Sequence, residues 1–273
     1  MLAFSRAGVF TRAGLETMPE TANNGRASRQ VDLGGRRAVA IIPAYNEADC
    51  IQRVIEDLHN RAPWTDVLVV NDGSRDATSL RARETGARVI DLPVNLGIGG
   101  AVQTGYRYAR EEGYDVAFQF DGDGQHRASR LADLVGPILA GEADLVIGSR
   151  FLAPRGMTPR GMRWVGIQIL SVAISLFIRR KVTDPTSGFR AAGRRAIQLF
   201  AAEYPQDYPE PESLVLLHKQ GLGVCEVPTT MRRRREGTSS IRPLHGFHYM
   251  SKVLLAVVMD LFKAPVHLEE EVA

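Results

Sequence analysis

Val116-Ala-Phe-Gln-Phe-Asp-Gly-Asp-Gly-Gln-His126 is the stretch on which the reading of this chain turns. An apolar, strand-like approach from Val116 to Phe120 stops at two carboxylates, Asp121 and Asp123, in a glycine-rich turn that carries the amide of Gln125. Carboxylates one residue apart at a strand end can share a divalent cation, and Mg2+ or Mn2+ prefers oxygen ligands together with substrate phosphates. The same spacing opens an EF-hand loop, but that loop needs glycine at its sixth position and glutamate at its twelfth. His126 and Ala132 stand there, so the EF-hand fails. A polar turn closing a strand has the same composition. The run alone leaves a metal site and a plain turn both open.

On both sides of it, short apolar strands alternate with helices. Residues 39–42 are a buried-strand run, and Pro43-Ala-Tyr-Asn-Glu47 turns into a helix with Ile51, Val54, Ile55 and Leu58 on one face. Intervals of three and four are the amphipathic-helix spacing. Residues 67–70 run into Asn71-Asp-Gly-Ser-Arg-Asp76 and a short helix through Glu84; Val89-Ile90 precedes Asn95-Leu-Gly-Ile-Gly-Gly100 and a helix that ends near Glu111. Strands at 116–120 and 145–147 flank a helix over 128–139. This order predicts an α/β fold, an open and mostly parallel sheet flanked by helices. Ligands of such sheets sit beyond the carboxyl ends of the strands. The turns at 43–47, 71–76, 95–100 and 121–125 all follow strands, so polar loops converge on one edge and favour the metal reading. The glycines of 95–100 do not make a dinucleotide fingerprint, because its last glycine would fall at Val102 and the loop follows the third strand.

With 273 residues, 44% of them hydrophobic, the chain can bury a core as one large domain or as one domain with a small appendage. A formal charge of +3 does not point to nucleic acid. Charge is unevenly placed, with Arg232 to Arg235 consecutive and Glu269 to Glu271 near the end. Such a basic run is a solvated face or a site for phosphate or anionic lipid. Cys50 and Cys225 read as small buried hydrophobes in a reducing compartment. Residues 1–37 carry six arginines (Arg6, Arg12, Arg26, Arg29, Arg36 and Arg37) without the apolar core of a secretory signal, and read as a flexible extension outside the fold. The catalytic domain is expected over 38–241, with a C-terminal helix and acidic tail over 242–273. Residues 164–178 are apolar except for a stripe of Gln168, Ser171 and Ser175, and Arg179, Arg180 and Lys181 follow directly. This segment is shorter than a membrane span. It is either a core helix or one lying at a membrane surface or lining a lipid-tail groove. Residues 247–262 have the same character, and two such helices beside basic clusters favour a membrane-facing surface.

Together these motifs resemble family 2 of the glycosyltransferases, with its GT-A fold, and most of all its polyprenyl-phosphate sugar transferases. The resemblance runs from about Val39 to Ile241 and rests on an ordered series of motifs. Pro43-Ala-Tyr-Asn-Glu47 is similar to the family's opening nucleotide loop, which assigns Pro43, Tyr45 and Glu47 to nucleotide binding. Val70-Asn-Asp-Gly-Ser74 resembles the second nucleotide loop, with Asp72 toward the base. Asn95-Leu-Gly-Ile-Gly-Gly-Ala101 matches the family's glycine-containing turn. Phe120-Asp-Gly-Asp-Gly-Gln125 resembles the metal motif, which implies Mg2+ or Mn2+ on Asp123 and Gln125, with Asp121 nearer the nucleotide. Gly148-Ser-Arg-Phe151 and Asp184-Pro-Thr-Ser-Gly-Phe-Arg190 look like acceptor-side segments, which places Arg150, and with it Arg163, at an acceptor phosphate. Glu212, upstream of Glu226-Val-Pro228, matches an acidic residue of the mannosyltransferase subgroup. Arg234-Arg-Glu-Gly237 resembles a loop closing over the diphosphate, so Asp123, Glu212 and Arg234 are the catalytic candidates. The chain departs from the subgroup at Ser239-Ser240 and in the proline-rich Tyr208-Pro-Glu-Pro-Glu212, which bears on substrate identity.

The implied activity is inverting, metal-dependent transfer of a sugar from a nucleoside-diphosphate sugar to a dolichyl or undecaprenyl phosphate. It would be carried out by a peripheral protein at the cytoplasmic, inner face of the membrane, with room for a separate integral-membrane partner. The alternative acceptor is a sugar or polysaccharide hydroxyl, with Glu212 as base. Two readings of other classes stand further off. A nucleotidyltransferase would need a glycine-rich triphosphate loop, which does not follow the first strand here, and a non-enzymatic lipid or partner-binding module would leave the polar loops without a role.

Overall fold

The computed structural model describes residues 30–152 and 162–232, together with Lys252, Leu255 and Met259, which are helical. Arg234 and most of residues 247–262 lie outside the described residues. Seven strands form one sheet: β1 (Ala38–Ala44), β2 (Asp66–Asn71), β3 (Arg88–Asp91), β4 (Val116–Gln119), β5 (Leu145–Ser149), β6 (Arg190–Gly193) and β7 (Val224–Pro228). Their order across the sheet is β3-β2-β1-β4-β6-β5-β7. All pairings are parallel except those of β6, which runs antiparallel to β4 and β5. The helices are α1 (Ile51–Arg61), α2 (Thr78–Glu84), α3 (Gly97–Glu111), α4 (Leu131–Leu139, entered through a 3-10 turn at 128–130), α5 (Met162–Phe177), α6 (Arg194–Ala202) and α7 (Pro209–Lys219).

Both faces of the central strands are covered, which is why β1 reads as an unbroken apolar run. The period-2 alternation of a strand sends Val39 and Ile41 into one core with Val102 and Tyr106 of α3, Leu170 of α5 and Phe200 of α6. It sends Ala40 and Ile42 into the opposite core with Ile51, Ile55 and Leu58 of α1 and Leu134 of α4. Tyr106, Phe200 and Tyr204 pack as three tilted or edge-on rings 5.0–5.5 Å apart. Truncating the fully buried Phe200 in such a cluster costs about 3–5 kcal/mol.

The structure corrects the sequence reading at three places and orients the α5 stripe. The first strand continues through Pro43 to Ala44, where a turn was expected, and Pro43 pairs in register with Val70. The chain joins the fold before residue 38: Val31 and Leu33 pack on the α1–α4 core, and Arg37 lies 4.3 Å over the ring of Tyr114 while donating to the Glu112 carbonyl. Cys50 precedes α1 and is only half-buried, as is Cys225 on β7, and neither forms a disulfide. The serines of the α5 polar stripe face the chain itself: Ser171 and Ser175 both donate to the carbonyl of Val182. Among the described side chains of α5, the exposed ones, Trp164, Val165, Ile169, Val172 and Leu176, are apolar. Among the described residues, no helix is long and apolar enough to cross a membrane.

Candidate active site

The loops after β1, β2, β3 and β4 meet at the carboxyl edge of the sheet, and hydrogen bonds fasten the first to the second and the second to the third. Asn46, in the left-handed region at φ 55°, donates its N–H to Ser74 Oγ and accepts the N–H of Arg75 on its side-chain oxygen. The N–H of Glu47 bonds Thr78 Oγ1 at 2.9 Å. Asp72 is buried, and its two carboxylate oxygens accept the N–H groups of Leu96 (2.6 Å) and Gly97 (2.9 Å). This is an N-terminal cap of α3 supplied from the neighbouring loop, favoured by the free amides and positive dipole end of a helix start. Gly73 permits the approach: its φ is +68°, and a Cβ would stand 2.8 Å from the Asn95 nitrogen. Pro43 is buried in β1 against the 121–125 turn, whereas Tyr45 is 46% exposed at the rim.

The acidic turn itself is braced from within. Asp123 accepts the N–H of Gln125 at 2.9 Å, and the N–H of Asp121 donates to His126 Nδ1 at 3.0 Å. The Nε2 atom of the same imidazole lies 3.3 Å from the Asp121 carboxylate. His126 is fully enclosed between Phe120 and Phe189, and burial first, with the Arg150 charge assisting, pushes its pKa down to about 4 against the pull of Asp123. It is therefore neutral, accepting at Nδ1 and presenting an Nε2–H to Asp121. Gly188 closes the other side, where a Cβ would come within 3.3 Å of Asp121 Oδ1. Two carboxylates and an amide oxygen are the donors that a hard cation takes. Among the described residues no three His, Cys, Asp or Glu side chains form a complete cage, in keeping with Mg2+-type sites that use one or two carboxylates and finish their shell with substrate phosphates.

Beside Asp123 a cavity of about 370 Å3 is lined by Cys50, Arg53, Asp57, His126 and Arg232, among others. Arg232 forms a double contact with Asp57 (3.2 and 3.3 Å) and donates its backbone N–H to the Gln125 carbonyl. The Cys50 thiol donates to Glu47 Oε2 at 2.9 Å, and burial, followed by that carboxylate, pushes its pKa up to about 12.

Across the edge, β5 and β6 deliver a second set of charges. Arg150 pairs side-on, through Nε and Nη2, with the fully buried Asp184 (Nε–Oδ2 2.7 Å, Nη2–Oδ1 2.6 Å) and donates to Thr186 Oγ1 at 2.9 Å. Glu226 fixes this pair from behind, accepting the N–H groups of Thr183 and Asp184 at 2.8 Å each. Arg150 makes these contacts through Nε and Nη2, and its charge reaches Asp121 and Glu210. Arg163 falls in the first turn of α5, and its side chain lies outside the described residues.

Sequence reading chose Glu212 as the α7 carboxylate, but the structure brings Glu210 to the charge cluster instead. Residues two apart on an α-helix point to nearly opposite sides. Glu212 is buried in the body of α7 and interacts with Tyr208, whereas Glu210 feels the charges of Arg190 and Asp121 and lies 3.5 Å from Gln119 Nε2. Burial raises the pKa of Glu210 above the ordinary carboxylate value, opposed by Arg190. Arg190 is itself fully buried and donates to the Ser187 and Pro185 carbonyls and to Ser213 Oγ. His126, Gln119 and Arg190 were also missed as site residues; the one available signal was their place inside motifs already singled out.

Comparison with known proteins follows the same outline. The model for Glycosyl transferase family 2 matches residues 39–200. The chain belongs to this family. Undecaprenyl-phosphate mannosyltransferase of Micrococcus luteus is 33% identical over 218 residues, covering 75% of this chain and 87% of the relative. UDP-N-acetylglucosamine--dolichyl-phosphate N-acetylglucosaminyltransferase of Methanococcus voltae is 32% identical over 244 residues, covering 81% and 97%. Among solved structures, glucosyl-3-phosphoglycerate synthase from Mycobacterium tuberculosis with Mn2+, UDP and phosphoglyceric acid superposes with a TM-score of 0.63. It is 22% identical and covers 85% of this chain and 80% of its own. The fold is thus the GT-A type, and this family 2 glycosyltransferase stands close to the polyprenyl-phosphate sugar transferases.

Proposed function

We propose that this family 2 glycosyltransferase inverts the anomeric carbon of a nucleoside-diphosphate sugar as it transfers the sugar to a polyprenyl phosphate, of the dolichyl or undecaprenyl type, with a divalent cation, Mg2+ or Mn2+. It works as a peripheral protein at the cytoplasmic, inner face of the membrane, and a separate integral-membrane protein would supply any anchor. The observation that carries this reading is the meeting at one sheet edge of the Asp121–Asp123–Gln125 turn and a guanidinium, Arg150, whose charge reaches Asp121. Relatives named for undecaprenyl-phosphate and dolichyl-phosphate acceptors support the lipid phosphate, and a neighbour solved with Mn2+ and UDP-glucose supports the cation and the donor class.

Asp123 and Gln125 would hold the cation, with Asp121 beside them. When bound, it neutralises charge that builds on the departing diphosphate. Pro43, Tyr45, Glu47 and the Asp72-capped loop shape the nucleotide pocket, and Arg234 is assigned to the diphosphate. His126 helps to fix the Asp121 carboxylate by presenting a neutral N–H to it. A phosphate monoester, with a second pKa of about 6, is largely dianionic near neutral pH and attacks without a base. Arg150, together with Arg163, orients it, since guanidinium forks match phosphate oxygens. Attack opposite the leaving diphosphate inverts the sugar carbon. Transfer of a radiolabelled sugar to extracted lipid tests the proposal, and label appearing only in a water-soluble glycan would sink the lipid acceptor.

Half-buried Glu210, its pKa raised by desolvation and by the nearby Asp121 charge, favours a second reading. A hydroxyl acceptor must lose a proton, and a carboxylate of raised pKa is suited to take it. On that reading Glu210, in the place first given to Glu212, is the base.

A further inference from the structure

We propose that the outer face of α5 is a docking surface for a bilayer that carries anionic phospholipid, an inference that rests on the membrane reading above and gives it a location. The helix is apolar on both sides. Ile167, Leu170, Ile174 and Ile178 turn inward at 0–6% exposure. Val165, Ile169, Val172 and Leu176, at intervals of four, three and four, form one outward stripe with exposures of 43, 52, 59 and 72%. Trp164 and Leu152 add to the exposed apolar surface at 42% each. A helix with an apolar stripe facing outward as well as one facing its core has more apolar surface than that core can cover.

Charge selects the occupant. Arg179, Arg180 and Lys181 are all exposed at the carboxyl end of the stripe, and residues 162–183 contain no Asp or Glu. A second copy would bring the same cations to the contact. An anionic bilayer complements both features, since the stripe enters the acyl boundary while the cations reach lipid phosphates. Continuity with the site points the same way. An open groove of about 550 Å3 along α5 is lined by Leu176, Arg179, Lys181, Phe151 and Thr183, among others. Phe151 and Thr183 are the chain neighbours of Arg150 and Asp184, so the groove leads from the exposed stripe to the acceptor-side guanidinium. The exposed helical residues Lys252, Leu255 and Met259, spaced by three and four, repeat the pairing of a cation with an apolar stripe.

Flotation of the full chain with vesicles of phosphatidylcholine, with or without phosphatidylglycerol, tests the surface. The wild type should float with the phosphatidylglycerol vesicles. The double variant Val172→Asp/Leu176→Asp should lose at least about tenfold in vesicle binding, because two buried apolar side chains are exchanged for charges. Arg180→Glu/Lys181→Glu should lose about tenfold toward phosphatidylglycerol vesicles and little toward phosphatidylcholine alone. The unfolding midpoint, and its shift by UDP or GDP with Mn2+, should match wild type in both variants, which separates docking from folding. Variants that keep this shift and still float like wild type overturn the proposal. So does wild type that ignores vesicles but self-associates in a way Val172→Asp/Leu176→Asp abolishes, which would assign the face to a second copy. Phosphatidylglycerol binding without glycosylation of any lipid phosphate upholds docking and sinks the acceptor reading. Transfer to a detergent-dispersed prenyl phosphate with no vesicle binding by wild type sinks docking alone.

Discussion

The proposed donor side and the proposed acceptor side of the sheet edge are assembled by different means. On the donor side, polar side chains take backbone N–H groups of the next loop: Asp72 from Leu96 and Gly97, Asn46 from Arg75, Thr78 from Glu47. On the acceptor side, the central joint is a pair of full charges, Arg150 and Asp184, enclosed between β5 and β6 and backed by Glu226. Backbone caps set loop shape whether or not a ligand is present, at about 1 kcal/mol each. A buried charge pair adds little net stability but fails badly when halved. The donor side is thus a preformed mould, and the acceptor side a balanced electrostatic arrangement that an incoming anion can engage.

The largest effect is expected where the two sides meet. Asp123→Ala should lower sugar transfer about a thousandfold, the order seen when electrostatic stabilisation of a leaving group is removed. The Mn2+-dependent shift of the melting temperature by a nucleoside diphosphate should vanish, with the metal-free melting temperature unchanged. Next comes Asp184→Ala, which strands a buried guanidinium and should cost about 3–5 kcal/mol in denaturant unfolding. Arg150→Met combined with Asp184→Ala should recover most of that loss. Asp72→Ala should cost less, about 1–2 kcal/mol, and raise KM for the donor while leaving KM for the acceptor in place. If Asp72→Ala proves as damaging to stability as Asp184→Ala, the contrast between mould and charge pair is wrong.

Smaller effects sharpen the contrast. Glu210→Gln should change transfer to a lipid phosphate only a few-fold; a loss approaching the roughly hundredfold or greater contribution of a general base would favour a hydroxyl acceptor. The mildest test is chemical. With a thiol pKa pushed up to about 12, Cys50 is ionised in only about one molecule in ten thousand at pH 8, so iodoacetamide should modify it far more slowly than an ordinary thiol of pKa about 8.5. Raising the pH toward 12 should speed labelling about tenfold per unit, since the thiolate is the nucleophile. Rapid labelling at pH 8 would show that the Cys50–Glu47 contact is not maintained in solution.

The donor side was legible in the sequence because its signals are local. Strand, polar turn and helix follow within a few residues at 38–61, 66–84 and 116–139, and each motif is contiguous. The acceptor side depends on residues far apart in the chain, with Arg150 meeting Asp184 and Gln119 meeting Glu210. No periodicity announces such meetings. Glu210 and Glu212 show the limit: both stand in one short proline-rich motif, and only the start of α7 at Pro209 decides which of them turns toward Asp121. The antiparallel direction of β6 was also unreadable, because its four small or polar-flanked residues, Arg190-Ala-Ala-Gly193, carry no directional signal. The α5 polar stripe was found in sequence, but its direction was not readable, because Ser171 and Ser175 meet the carbonyl of Val182, a contact beyond the end of the helix.

The reversal of β6 has an engineering meaning. The chain leaves β5 at Ser149 and re-enters the sheet at Arg190 on the adjacent strand, with Ile147 and Arg190 directly paired. Everything between is therefore a handle whose two ends are already held together, and lengthening or replacing such an excursion costs little closure entropy. The nucleotide-facing strands β1 to β4 contribute nothing to its span. The handle carries Arg150, α5 and Asp184, so it is a cassette: exchanged between relatives as one piece, it should transplant acceptor preference onto an unchanged donor-binding chassis.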